Sequence, residues 1–397
     1  MKKIKLLISI VLIINLVSCE SVIDQQDKPV YKERSADFKV LLKDKTGSMM
    51  EIYGNDIVNN VEVIFKSVSL GTKYVIKSDE NGVVTLSDVI SDTYLVSAIR
   101  YMTEDEMEIL TGEKLDFYRL MNSSLGVVDL SADFKDTAEV YLDNLILESP
   151  LVISEIYACG PPGSGLYFHD KYVEIFNQSD STIYLDGFII ADVWSNPSIG
   201  INFINDPAGI HSKRIWKFPG NGKDYTIKPQ QFIVCAEDAI DHRVNAPASI
   251  DLSHADFEFY KDDAPDIDNP NVPNMIKIYS PFTEVDWLIG GRRGALTIVQ
   301  MDEDSIKTYD NHFLIPYKNI LDGAEYVADL TDYDYKIMNP RIDAGFTGGI
   351  EFYTGKSMER IAVLRNGKYI LKDDNNSSLD FQVIEHPTPE FHYEIGN

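Results

Sequence analysis

LVISEIYACG at Leu151–Gly160, then a Pro/Gly loop, then HDKYVEIFNQSDSTIYLDGFIIAD at His169–Asp192, decides how the rest of the chain is read. β-Branched and aromatic residues fill the runs on either side of the loop. Pro161, Pro162, Gly163 and Gly165 break them apart, and a polar turn at Ser179–Ser181 precedes a third run. Short apolar runs punctuated by turn residues predict strands of a layered antiparallel sheet. Working outward, the same punctuation recurs along the chain and predicts an all-β protein of two domains, residues 37–148 and 149–397. Glu155 and Glu174 interrupt the apolar runs, and an unpaired buried carboxylate is costly. Strand alternation lets both face solvent, or lets them pair with a basic residue such as Arg360. A catalytic carboxylate pair, with acid and base roles split between them, is the sharper alternative.

The chain has 397 residues, 44% of them hydrophobic and 11% aromatic, enough for real cores. Its 63 acidic residues against 36 basic ones give a formal charge of −27. Nucleic-acid binding depends on Lys and Arg releasing condensed counterions, so this balance argues against a nucleic-acid partner. It also argues against docking on anionic headgroups by charge alone.

Lys2, Lys3 and Lys5 precede an apolar stretch, Leu6–Val17, broken only by Ser9 and Asn15. That is the layout of a signal peptide, residues 1–18, and it is too short for a stable spanning helix. Leu16-Val17-Ser18-Cys19 resembles the bacterial lipobox, which implies that Cys19 carries the lipid and becomes the mature N-terminus. Two or more acyl chains make such an anchor stable. Residues 19–36 are polar and read as an acylated tether. Glu20, Asp24 and Asp27 resemble the surface-export tethers of Bacteroidota-type lipoproteins. The location implied is the outer membrane, by a lipid anchor. Cys159 and Cys235 are the remaining cysteines and leave one disulfide open, with burial as free thiols the equal alternative.

In the first domain Phe38–Lys43 opens a strand, Val61–Phe65 alternates, and Lys73–Lys77 follows. Asn81-Gly82 is a turn signal. Thr103 stands as an N-cap before Glu104 and Glu106, and Thr137–Leu147 closes the sheet. Ser78-Asp79-Glu80-Asn81-Gly82 and Tyr94-Leu95-Val96-Ser97-Ala98 resemble the turn and closing strand of carboxypeptidase-regulatory-like, prealbumin-type modules, which implies a first β-sandwich, to be followed by a second, that serves as a spacer or docking platform.

In the second domain Ile153-Ser154-Glu155-Ile156, Tyr172-Val173-Glu174-Ile175-Phe176-Asn177 and Leu185-Asp186-Gly187-Phe188 look like the lamin-tail family. Ile227-Lys228-Pro229-Gln230, Met275–Tyr279 with Glu284–Trp287, Gly355–Arg360, and Asn375–Ser378 with His386–Pro389 follow in that family's order. Gln230 stands where the pattern has Gly. The resemblance implies an immunoglobulin-like sandwich. The surplus length then reads as three insertions, Trp194–Tyr225, Ala246–Asn274 and Gly290–Gly349, where binding surfaces normally sit.

Catalytic motifs are absent. No HExxH, Gly-x-Ser-x-Gly elbow or P-loop occurs, and no paired metal spacing joins the seven histidines. Asp238, Asp241 and His242 share a loop without such spacing. Asp262, Asp263, Asp266 and Asp268 are candidate Ca²⁺ ligands, but the run fails the EF-hand template and reads better as a solvated acidic loop. Trp194, Trp216 and Trp287 are candidate sugar-stacking or protein-binding residues, or core. No cofactor is expected. Taken together, the chain resembles Bacteroidota-type lipoproteins that join these two modules. It reads as a non-enzymatic envelope protein that binds a protein or glycan, with an accessory role to an outer-membrane transport receptor open. The alternative is a secreted hydrolase, of nuclease or phosphoesterase type, or its accessory subunit.

Overall fold

A computed structural model describes residues 38–115, 118–122, 126–130, 137–281, 290–365 and 367–396. The signal-peptide, lipobox and tether residues, Cys19 among them, lie outside the described residues, as do Glu284–Trp287.

Phe38–Asp44 alternates buried and exposed positions, and Phe38, Val40 and Leu42 enter the first core. It pairs antiparallel with Val83–Leu86 and parallel with Thr137–Leu142. The facing sheet runs Lys73–Lys77, Glu62–Ser67, Thr93–Tyr101, Tyr118–Met121 and Asn144–Leu147, with Gly126–Asp129 also on Thr93–Tyr101. Thr137–Leu147 therefore closes both sheets, one strand each side of Asp143. The Asn81-Gly82 turn joins strands of opposite sheets rather than a hairpin. Gly82 takes φ +68°, and a Cβ there would meet Ile57 at 2.8 Å. Thr103 caps the helix Glu104–Thr111 in a capping box with Glu106. Glu62–Ser67 departs from the expected alternation, because Ile64 and Lys66 are buried on its outer face as well.

The second sandwich has a six-stranded sheet in the order Phe257–Glu258, Phe232–Ala236, Tyr172–Asn177, Leu151–Tyr157, Ser357–Arg360, Phe381–Ile384. The five-stranded sheet facing it runs Ile276–Tyr279, Ile215–Lys217, Ile189–Asp192, Arg293–Val299, Ile320–Val327. Ile153, Ile175, Ile190, Trp216, Leu296 and Tyr326 meet between them. Burial of such side chains contributes about 1.5–3 kcal/mol each.

The three stretches read as insertions are in part the sandwich itself. Ile215–Lys217, Phe257–Glu258, Arg293–Val299 and Ile320–Val327 all come from them. Ile215–Lys217 and Phe257–Glu258 are too short to show a period, so sequence alone places them in loops, whereas Arg293–Val299 and Ile320–Val327 are full-length strands. Other parts of these stretches cover the outer face of the five-stranded sheet, where Val193, Ile210, Ile315, Met338 and Ile342 pack. The outer face of the six-stranded sheet is covered too, with Val152, Phe176, Phe232 and Leu371 clustered beneath Ile395. Leu151–Tyr157 is consequently buried along its whole length. Cys159 and Cys235 are both free and buried. Among the described residues no helix is long and apolar enough to cross a membrane.

Candidate functional site

Register places Glu155 opposite Glu174 on one side and Glu359 on the other, so three carboxylates form a row across adjacent strands. All three are at most 2% exposed. The expectation that Glu155 and Glu174 face solvent or pair with Arg360 is overturned. Arg360 turns to Asp322 at 2.6 Å and Asp373 at 3.4 Å, and donates to the Ile153 carbonyl. The carboxylates are instead met by the C-terminal segment. Thr388 N–H donates to Glu155 at 3.2 Å, Thr388 Oγ1 bonds both Glu155 and Glu359, and Glu390 N–H donates to Glu174 at 2.5 Å. Ser154 Oγ donates to Glu174 and Gln382 Nε2 to Glu359. Burial pushes the Glu155 carboxyl up to about 7 and Glu174 well above the usual range, the latter also under repulsion from Glu155. A substrate has no approach to groups sealed in this way.

Trp216 is core rather than a binding residue, fully buried with its ring edge-on to Phe259 at 5.5 Å. Trp194 is half-buried, with the Lys213 ammonium 3.6 Å over its ring and Phe203 and His312 packed nearby. Trp287 lies outside the described residues. The four aspartates proposed for Ca²⁺ face different partners. Asp262 and Asp263 pair with Lys277, and Asp263 with the buried Lys261. Asp268 accepts from Asn274, and Asp266 accepts the N–H groups of Lys261 and Ile267. Asp262 and Asp263 are thus held by lysines and Asp266 and Asp268 by amide donors, and among the described residues these oxygens form no group that could hold a metal ion.

Asp266 nevertheless lines a cleft of about 400 Å³ with Tyr167, His169, Asp238, Asn245 and Ile267. Three loops meet there: the Pro/Gly loop after Leu151–Tyr157, the loop after Phe232–Ala236, and the acidic loop. The strands fix its floor. Glu237 and Asp238 follow Phe232–Ala236 directly and are nearly fully buried. His242, fully buried, bonds Tyr167 Oη through Nδ1 at 2.6 Å and the Asp238 carbonyl through Nε2 at 2.9 Å. Burial holds its imidazole down to about 4, so it is neutral at neutral pH. His169 Nδ1 lies 3.5 Å from Glu237 and 3.7 Å from Asp238. Burial drives the Tyr167 phenol up to about 12, and Asp170, Asp238 and Glu237 add to the rise. Leu166, Val244 and Ile267, each lining the cleft or next in sequence to a residue that does, are exposed. Sequence reading singled out Asp266 and noted Asp238 and His242. It missed Tyr167, His169 and Asn245, which carry no spacing signal because three separate loops supply the site.

A second cleft of about 570 Å³ lies where the sandwiches meet, lined by Leu147, Glu148, Gln178, Asp180, Arg365 and Lys368. Its charges are already matched, Arg365 to Glu148 at 2.6 Å and Lys368 to Asp180 at 2.7 Å.

Residues 228–388 match a family described as Protein of unknown function (DUF4876). No curated protein matches the chain. Among solved structures, a DUF4876 family protein from Bacteroides thetaiotaomicron is 24% identical, with a TM-score of 0.52 over 87% of this chain and 94% of that one. That likeness extends the fold across both sandwiches. Fervidolysin from Fervidobacterium pennivorans, a keratinolytic enzyme related to subtilisin, is 13% identical over 52% of this chain and 31% of its own, with a TM-score of 0.19. So low a score carries no argument about this chain.

Proposed function

We propose that the chain is a non-enzymatic, lipid-anchored binding module of the cell envelope. It sits on the outer membrane through Cys19 and engages an envelope protein or glycan through the loops of its second sandwich. The two sandwiches are read here as a carboxypeptidase-regulatory-like module and a lamin-tail-like one, on the ordered motifs quoted above. An accessory role to a transport receptor fits such an anchored module. The observation that carries the reading is the cleft of about 400 Å³ where three loops converge, with charged and aromatic walls and an exposed apolar rim. The hydrolase alternative is weaker because its candidate residues, Glu155 and Glu174, are sealed beneath Thr388 and Glu390.

The test is photo-crosslinking from position 166 of the lipidated protein in intact envelopes, beside a glycan array. A single crosslinked product, or one glycan class, lost on Ile267→Lys is the expected outcome. Phosphodiester hydrolysis that disappears in a folded Glu155→Gln variant would instead establish the enzyme. Cys19→Ala should move the protein into the soluble fraction, and retention in the membrane would overturn the anchor.

A further inference from the structure

We infer that a cleft between the two sandwiches takes an extended acidic segment of a partner protein, which pairs as an added strand with Asn144–Leu147. The site is separate from the three-loop cleft and does not rest on the reading given to it.

Asn144–Leu147 ends the six-stranded sheet of the first sandwich, where it pairs with Tyr118–Met121 on one side only. Side chains alternate between the two faces of a strand. Asn144 and Ile146 therefore share one face and Leu147 takes the other, yet all three line one cleft of about 400 Å³. A cleft that touches both faces of a strand runs along its edge. Ile320–Val327 ends the five-stranded sheet of the second sandwich, and its consecutive residues Ile320, Leu321 and Asp322 line the same cleft. Further along that strand the edge is closed, since Thr347 N–H donates to the Glu325 carbonyl and Val327 N–H to the Thr347 carbonyl. Among the described residues no strand covers the outer side of Asn144–Leu147 or of Ile320–Asp322. Such an edge presents alternate N–H and C=O groups that an incoming strand satisfies. Leu147 is exposed, and Ile146, Ile320 and Leu321 are half-buried, which leaves apolar surface for the side chains of that strand.

The polar lining selects for acid. Asn144 Nδ2 is shut off from solvent without a hydrogen-bond partner among the described residues, and a buried donor left unmet is costly. A carbonyl or carboxylate of an incoming chain meets it. Lys318 and Arg341 line the cleft, are exposed, and pair with no carboxylate among the described residues. The Arg341 guanidinium lies 5.0 Å over the Tyr317 ring, which holds it at the cleft. The two carboxylates in the lining are already engaged, Asp322 with Arg360 at 2.6 Å and Asp373 with Arg360 and Arg119, each at 3.4 Å. In a chain of formal charge −27, this cleft thus carries an unmatched positive charge. An acidic segment makes charge-assisted hydrogen bonds there, and a basic one is repelled. A lone small anion would use Lys318 and Arg341 but leave the strand edge bare.

The experiment uses the full mature chain and a fluorescent capped peptide, Ser-Val-Glu-Val-Glu-Val-Ser, by anisotropy at physiological salt. The same peptide with Gln for both Glu is its neutral control. The Glu peptide should bind at least tenfold more tightly than the Gln peptide. Lys318→Gln with Arg341→Gln should remove that preference, while Lys39→Gln with Lys228→Gln, an equal loss of charge elsewhere, should keep it. All four side chains are exposed, so these substitutions leave the fold intact. Strand pairing has its own readout. Saturating Glu peptide should slow hydrogen exchange at least tenfold at the outward amides of Asn144–Leu147. It should leave Lys73–Lys77, the strand at the far end of the same sheet, unchanged. Equal binding of the two peptides, equal losses in both double variants, or binding without protection at Asn144–Leu147 would overturn the inference. Full displacement by millimolar glucuronate would overturn it too, by making the cleft a site for small anions.

Discussion

Gln230 holds its backbone at φ +61°, and its N–H donates to the Asn177 carbonyl at 2.8 Å. In this left-handed region a Cβ crowds the backbone at a cost of roughly 1–2 kcal/mol. The side chain does not compensate, since Nε2 is buried without a hydrogen-bond partner among the described residues. Glycine relieves both penalties and loses about 0.5–1 kcal/mol in unfolded-chain entropy. Gln230→Gly should therefore raise the urea midpoint, by about 1 kcal/mol of stability. A lower midpoint at unchanged slope would show that the turn needs the side chain. Single-residue features of this kind were legible where their partners are local. Thr103 reads as an N-cap before Glu104 and Glu106 because cap and first turn are adjacent in sequence, and the structure adds the reciprocal bond from Glu106. Trp216 announced nothing, because a tryptophan in the core and one on a binding face have the same neighbours in sequence.

At the scale of elements, the strands were legible and what covers them was not. Glu155 and Glu174 sit in strands whose period allows an outward face, and the outward face exists. It is closed by Thr388, Glu390 and His392, more than two hundred residues from Glu155 and Glu174. The closure has a pH signature. Glu155 faces Glu174, Glu359 and Tyr172 from neighbouring strands, and Thr388 from the tail, with Glu390 and His392 close by. Burial raises its folded-state pKa from 4.5 to about 7, and burial with repulsion from Glu155 raises Glu174 well above the usual carboxylate range. The folded state thus holds protons that the unfolded chain releases. This contribution is intact below about pH 4.5 and is lost as pH climbs through about 7. The melting temperature should fall between pH 5 and pH 8, and Glu155→Gln, which cannot ionise, should flatten that fall. Hydrogen exchange at the amides of Thr388 and Glu390 should quicken over the same interval in the wild type. A wild-type profile that rises steadily to pH 8 with no change at those amides would show that the row does not load the tail.

At the scale of the whole molecule, the two sandwiches are joined by a buried polar seam. The outer face of Glu62–Ser67 and Thr93–Tyr101 meets residues 327–378, with Val68 and Leu95 packed on Val327 and Phe346. Ser97 accepts from Asn376, Tyr101 Oη donates to Asp374 at 2.6 Å, and Lys73 donates to the Ser378 carbonyl at 2.8 Å. Arg119, fully buried on the first sandwich, reaches Asp373 at 3.4 Å and Asp374 at 3.8 Å on the second. This seam explains why the alternation read into Val61–Phe65 failed, since the outer face of that strand is covered from far along the chain, with the Lys66 ammonium 5.9 Å over the Phe346 ring, and such a contact leaves no local trace. It also makes a prediction about cooperativity. Two domains that touch through exposed charges unfold separately, whereas a seam of buried charges ties their transitions together. The wild-type chain should melt in one calorimetric transition whose van't Hoff and calorimetric enthalpies agree. Arg119→Met keeps the side-chain bulk but leaves Asp373 with Arg360 and Asp374 with Lys372 and Tyr101. Breaking a buried pair so that a charge is left bare costs about 3–5 kcal/mol, and because both carboxylates keep partners the cost here falls below that range. The variant should lose stability at the seam and resolve into two transitions, with the Arg360–Asp322 pair that bridges the second sandwich's sheets preserved in the later one. Two well-separated transitions in the wild type, or an unchanged melt in Arg119→Met, would mean that the sandwiches are independent and that the seam merely fills space between them.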